Sequence, residues 1–191
     1  LQNVDDTFTR SDSATTWSLS VQKDLSDDVM LYASAATGYK AGGFNSTSGD
    51  TGDMREFDKT ESTNYEIGIK SRLMDNKVQV NATAFSMETD GQHYITQSPS
   101  GTGTIVGNAT TTAERLGFDL NVIAKLTSNL TLNMSYFTVD DGSPDILSNA
   151  AARLTPDDAY TVGLSHNFPL GNGNVFSRVD YSYDGPYEYS S

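Results

Sequence analysis

Cysteine is missing from this chain altogether, and only two histidines are present. Without Cys there are no disulfides, no thiolate metal sites and no thiol nucleophiles. His93 and His166 stand far apart, with no second His, Cys or acid at ligand spacing, so no metal centre is readable. No Ser/His/Asp arrangement can be assigned from spacing either, and neither a catalytic residue nor a cofactor is expected. Long apolar runs are also missing. The longest, Val29 to Ala33, has strand length, against the ~18 residues that a membrane helix requires. Positive charge is scarce: 12 Lys and Arg face 25 Asp and Glu, for a net charge of −13. That balance argues against nucleic acid as a partner, which demands clustered Lys and Arg. The opening residues Leu1 to Asp6 carry no basic n-region and no apolar h-region, as expected of a mature chain or a fragment.

What is there is alternation. Phe118, Leu120, Val122, Ala124 and Leu126 share one phase, with Asp119, Asn121 and Lys125 on the other. After Thr127-Ser128-Asn129 the pattern resumes as Leu130, Leu132, Met134 and Tyr136 against Thr131, Asn133 and Ser135. Successive strand side chains point to opposite faces, so each segment is a ribbon with one apolar and one polar side. Helix-period stripes are absent. A mean hydropathy of −0.45 excludes helical membrane proteins but leaves barrels open, because half of each barrel strand and all of its loops are polar.

The pattern predicts eight strands, over Ala14–Lys23, Val29–Lys40, Ser62–Leu73, Lys77–Glu88, Ile105–Leu126, Leu130–Val139, Asp158–Phe168 and Val175–Tyr183. A break is expected inside the fifth at Asn108–Thr112. Four connections are tight, around Asp27-Asp28, Asp75-Asn76, Ser128-Asn129 and Gly171-Asn172, where Asp, Asn and Gly supply the turn geometry. Three are long: Ala41 to Glu61, Thr89 to Thr104 and Asp140 to Pro156. Short and long alternate, which puts all the turns at one end of the sheet and all the loops at the other. Outer-membrane barrels keep that order, with short periplasmic turns and long external loops. Most acids, among them Asp27, Asp28, Asp50, Asp53, Glu56, Asp58, Asp140, Asp145, Asp157 and Asp158, fall between strands and read as solvated loop charge.

A length check agrees. Tyr160 and Phe168 share a face eight residues apart, ~27 Å along a strand and roughly 19 Å once tilted by ~45°, against an apolar band ~25 Å tall. Tyr65, Tyr136 and Tyr183 sit near loop ends, as an interfacial girdle needs, and His166 shares the apolar phase with Phe168 near the turn end. The opposite phase carries Glu66, Lys70, Arg72, Gln79, Asn81, Asp119, Asn121, Lys125, Arg178 and Asp180, which are expected to face a barrel lumen. Gly38-Tyr39-Lys40-Ala41-Gly42-Gly43 lacks the Gly-Lys-Ser/Thr ending and the following helix of a phosphate loop, and reads as a strand leaving the membrane.

The order of local motifs resembles TonB-dependent outer-membrane receptors. Tyr32-Ala33-Ser34 continuing to Gly38-Tyr39-Lys40-Ala41-Gly42-Gly43-Phe44-Asn45 is followed by Glu61 to Ser71, which reads ESTNYEIGIKS. Leu73-Met74-Asp75-Asn76-Lys77-Val78, Ala82 to Phe85, Val106-Gly107-Asn108-Ala109 and Gly117-Phe118-Asp119-Leu120 come next in the family's order, with Asp119 where Glu is more usual. The resemblance implies an antiparallel transmembrane β-barrel segment, about eight strands of a barrel of about 22. On that reading residues 1–191 belong to the barrel domain, with the plug domain and the final strands absent. It also implies a Gram-negative outer membrane, contact with lipid and lipopolysaccharide, TonB engaged through a missing N-terminal region, and uptake of a scarce ligand, foremost an iron–siderophore complex.

Ligand selection then falls to the external loops, with Lys40, Phe44, Asn45, Gln92, His93 and Tyr94 as candidate contacts. Two other readings compete. A self-contained eight-stranded structural barrel would pair Ala14–Lys23 with Val175–Tyr183 and transport nothing. A soluble β-sandwich binding glycans accounts for the alternation but not for the sorted turns.

Overall fold

The computed structural model describes residues 8–45, 56–98, 101, 103–141 and 156–186. Strands follow in chain order as β1 (Ser18–Ser26), β2 (Val29–Lys40), β3 (Gly43–Phe44), β4 (Glu56–Phe57), β5 (Thr60–Leu73) and β6 (Val78–Asp90). The remainder are β7 (His93–Gln97), β8 (Thr104–Asn108), β9 (Ala113–Lys125), β10 (Leu130–Asp141), β11 (Asp158–Leu170) and β12 (Gly173–Asp184). Eight form one antiparallel sheet in the order β1-β2-β5-β6-β9-β10-β11-β12, each beside its neighbour in sequence. Two small hairpins, β3–β4 and β7–β8, stand apart from it. Among the described residues no helix is long and apolar enough to cross a membrane, which says nothing of crossing by strands.

The register sorts the side chains into two faces. Residues directly opposite in an antiparallel pair share a face. One row runs Val29, Ser71, Val80, Val122, Met134, Val162, Tyr181 across seven strands. The next apolar row, toward the loop end, reads Lys23, Leu31, Ile69, Ala82, Leu120, Tyr136, Tyr160, Tyr183. Between them, on the other face, lies Asp24, Met30, Lys70, Asn81, Asn121, Ser135, Thr161, Ser182. All ten residues expected to face a lumen fall on this polar side.

Among the described residues no second layer covers the apolar side. Ile67 and Leu116 are each 63% exposed and Val179 is 74% exposed, so the sheet has no packed protein core behind it. The buried apolar side chains among the described residues are Ile105, Ala109, Ala113 and Ala124, and the first three lie at the loop end beside β7–β8. A soluble sandwich would bury these leucines and valines between layers, so that reading fails. The closed small barrel fails too, because β1 and β12 occupy opposite edges and do not pair.

Turn chemistry explains the sorted ends. Between β11 and β12 only Gly171 and Asn172 intervene, and Gly171 has φ 59°. A positive φ at the first central residue suits a hairpin turn of the primed kind. Met74, Asp75 and Asn76 take φ of 56°, 54° and 62° in the β5–β6 turn, a left-handed run that Asp and Asn tolerate and Met does not favour. Thr127 Oγ1 accepts from the N–H groups of Asn129 and Leu130 at 3.2 and 3.0 Å, closing the β9–β10 turn.

Several strand ends differ from those the sequence predicts, most of all at β1. β1 is shifted from Ala14–Lys23 to Ser18–Ser26, with a register shift between Asp24 and Ser26 that carries it past Leu25. The fifth predicted strand breaks at 109–112, within the break expected at Asn108–Thr112, but β8 and β9 on either side belong to different sheets. Pro169, expected in a turn, lies inside β11 opposite Asn174. Asn167 donates its N–H to Asn129 O at the end of β10. Two residues on, Pro169 would direct an N–H to the same side, beyond the end of β10, so the proline forfeits no ladder bond.

Aromatic rings on the polar face lie over glycines of the neighbouring strand. Tyr32 covers Gly68 directly opposite and reaches Thr83 Oγ1 on the strand beyond at 2.7 Å. Phe85 covers Gly117 and stacks on Phe137 with centroids 6.2 Å apart. A Cβ at either glycine would collide with the ring, so these positions hold glycine for room.

Candidate functional site

The loop end carries a compact outer body built from three stretches of chain. The first is 8–17, leading into β1. The second is the connection between β2 and β5, which contains β3–β4. The third is the connection between β6 and β9, which contains β7–β8. Residues 142–155 of the last long connection, and with them Asp145, lie outside the described residues, as do Asp50 and Asp53.

Asp58 is where the three stretches meet. Its carboxylate accepts from Arg10 Nη2 at 2.9 Å. Its N–H donates to Asn108 Oδ1 at 2.6 Å, and its carbonyl accepts from Asn108 Nδ2 at 2.8 Å and His93 Nε2 at 2.6 Å. Arg10 also grips Asp12, with Nε to Oδ2 at 2.8 Å, and stands 3.6 Å from Glu56. Asp12 in turn accepts from Gly42 N at 3.0 Å. The hydrogen bond from Arg10 holds the Asp12 carboxyl below the ordinary carboxylate range, and the same pairing raises the Arg10 guanidinium further above its usual value. Lys59 Nζ reaches Glu61 at 2.9 Å and Ser13 O at 3.3 Å, a second tie to the leading stretch.

Five of the six candidate ligand contacts fall within this body, and the sixth stands at its foot. Phe44 packs on Phe8 with centroids 5.5 Å apart. Asn45 donates Nδ2 to Val106 O at 2.9 Å and accepts from Val106 N at 2.8 Å. His93 meets Phe57 edge-on at 5.0 Å besides its bond to Asp58. Tyr94 packs against buried Ala109 and Ala113 and covers Gly107. Gln92 accepts from Ala109 N at 2.9 Å through its carbonyl, while its side-chain Oε1 is buried with no hydrogen-bond partner among the described residues. Lys40 is exposed at the last position of β2.

Sequence reasoning did not single out Arg10, Asp12, Asp58 or Asn108 as a set. Their bonds span up to 50 residues and follow no period. The one available signal was the Val106-Gly107-Asn108-Ala109 motif, which holds two of the residues at the junction.

A second feature lies on the polar face at the turn end, where a recess of about 410 Å³ is bordered by Asp24, Asp28, Lys70, Arg72, Gln79 and Asn81. Lys70 Nζ lies 5.4 Å from the centroid of the Tyr32 ring. Nearer the other edge of the sheet Arg178 pairs with Asp180 at 2.8 Å. No cluster of His, Cys, Asp or Glu able to hold a metal ion occurs among the described residues.

A one-layer sheet with one open apolar face, one polar face and its loops gathered at one end defines a membrane-barrel wall. Residues 1–191 match the family model described as TonB dependent receptor-like, beta-barrel, and the chain belongs to that family. A metal-pseudopaline receptor, CntO, of Pseudomonas aeruginosa (strain UCBPP-PA14) is 27% identical over 169 residues, covering 88% of this chain and 21% of that protein. The chain thus spans about a fifth of the length of the curated relatives it matches. Among solved structures, the ferric yersiniabactin uptake receptor FyuA from Yersinia pestis superposes with a TM-score of 0.72 at 20% identity, over 89% of this chain and 26% of that one. The ferripyoverdine receptor of Pseudomonas aeruginosa gives a TM-score of 0.58 at 15% identity, over 87% and 25%. These likenesses establish the fold.

Proposed function

We propose that this chain is part of an outer-membrane receptor of a Gram-negative cell that takes up a scarce ligand, an iron–siderophore complex, with energy supplied through TonB. It is a transport receptor and not an enzyme. The observation that carries this reading is the two-faced sheet: an uncovered apolar side matched to hydrocarbon, and a polar side matched to a wide aqueous interior. The two unpaired edges, β1 and β12, need partners for their amide groups, which further strands of a larger barrel supply. Residues 1–191 are accordingly read as part of the barrel domain, with the plug and the closing strands contributed elsewhere in the protein.

The proposed ligand class is supported by the names of the relatives, which are receptors for metal–pseudopaline, ferric yersiniabactin and ferripyoverdine. On this chain the outer body gathers Phe44, Asn45, Gln92, His93 and Tyr94 above Lys40, and these six are the proposed contacts. The polar face, from Glu66 and Lys70 through Asn121 to Arg178 and Asp180, offers a hydrated path beneath them. Outer-membrane lipid and lipopolysaccharide are the proposed partners of the apolar side.

The test is uptake of radiolabelled iron by iron-starved cells, with the iron presented on a panel of siderophores. Deleting the gene for the intact receptor is expected to remove uptake of at least one ferric chelate, and removing TonB is expected to remove the same component. If deletion leaves every ferric chelate transported as before, the proposed ligand class is wrong.

A further inference from the structure

Among the described residues of the first two long connections, 41–45 with 56–59 and 91–98 with 103–112, five hydrogen bonds join one connection to the other. Two belong to Asn45 and Val106 and two to Asn108 and Asp58, and the fifth runs from His93 to Asp58. In both Asn pairs the side-chain amide meets the N–H and C=O of one backbone residue at once. An Asn amide carries a donor and an acceptor in one plane, as a peptide group does, so it can act as a single added rung on a strand edge. Asn45 caps the outer edge of β8 at Val106, whose partner on the other side is Ile95 of β7. Asn108 does the same to the backbone of Asp58 and also donates to Gly91 O at 2.8 Å, tying down the start of its own connection.

The geometry points to one mechanical body. We infer that the described parts of the two connections, 41–45 and 56–59 with 91–98 and 103–112, move as one unit, with Asn45 and Asn108 as positioning residues and the backbone of Asp58 as the shared junction. Separating them exposes two paired amides and a carbonyl carrying two hydrogen bonds. Opening one connection alone therefore costs nearly as much as opening both, and local opening is a concerted event. This goes beyond the transport reading, because it holds whatever the ligand is.

Hydrogen exchange followed by mass spectrometry on the intact receptor in outer-membrane vesicles tests it, with no ligand present. Asn108→Ala is expected to speed exchange of amides in 41–45 and 56–59, in the connection that does not carry the substitution, by roughly tenfold. Asn45→Ala is expected to do the same to 91–98 and 103–112. Asn108→Asp, which can still accept from the Asp58 N–H but cannot donate to its carbonyl, is expected to fall between native and Ala. Peptides from β9 and β10 report whether each variant is folded, and if one is not, the other, on the opposite connection, decides. An effect confined to the substituted connection, or native exchange throughout, overturns the inference.

Discussion

The wall and the outer body of this protein are stabilised in opposite ways. In the wall, strands of nine to fourteen residues pair in long ladders, and one face turns its apolar groups, Ile67, Leu116 and Val179 among them, away from the protein. Its side chains contribute through the medium outside. In the outer body the strands are only two to five residues long, and the segments are joined by side chains reaching backbone groups across many residues of sequence. A small core of Ala109 and Ala113 with Tyr94 packed against it completes the body, and Ile105 of β8 is buried as well. A repeating backbone with a two-sided pattern suffices where the surroundings do the sorting. Where irregular segments must hold a shape in water, named amides and carboxylates are needed.

The largest expected contrast comes from charge. Val162→Arg, near mid-height on the apolar side, is expected to destabilise the intact receptor in bilayers by about 2–4 kcal/mol. Asn121→Arg, one row away on the polar side, is expected to change little. Urea unfolding in lipid vesicles checks both, and equal costs would erase the distinction between the faces. Next is packing within the wall: Gly117→Ala places a methyl against the Phe85 ring and is expected to cost about 1–3 kcal/mol. Gly117→Ala combined with Phe85→Leu is expected to recover most of that in the same assay.

In the outer body the effects are smaller and local. The Asp12 carboxyl is held below its unfolded value by Arg10, so the clip is complete at neutral and mildly acidic pH. It weakens only as pH falls through and below the ordinary carboxylate range. Limited proteolysis of stretch 8–17 across pH is expected to show protection that is lost only in acid, and Arg10→Gln is expected to lose it at every pH. Smallest of all, Met74→Gly relieves one left-handed residue in the β5–β6 turn and is expected to stabilise the wall by about 0.5 kcal/mol, read as a shift in urea midpoint.

The same division decides what could be read from sequence. Period-two patterning located β2 at Val29–Lys40 and placed Glu66, Lys70, Asn121 and Arg178 on one face, because each strand's environment is written into alternate residues. Of the girdle expected at Tyr65, Tyr136 and Tyr183, the last two share one row with Tyr160, and Tyr65 lies on the same face two rows nearer the loop end. The break between β8 and β9 was legible at Asn108–Thr112, but since both strands alternate the pattern could not tell that they join different sheets. Nor could it foresee the 50-residue link between Asp58 and Asn108, because nothing in local spacing encodes a tertiary hydrogen bond. The six proposed contacts are polar and aromatic residues at the loop end, and the structure gathers five of them in one body while engaging Asn45 and His93 in its internal bonding.

The twin amide rungs at Asn45 and Asn108 bear on how such a protein can be re-engineered. Transplanting either connection by itself into another scaffold would leave half of each rung without its mate. The portable cassette is the pair, carried over together with Asp58, and a graft that respects this boundary should keep its shape where a single-loop exchange would not.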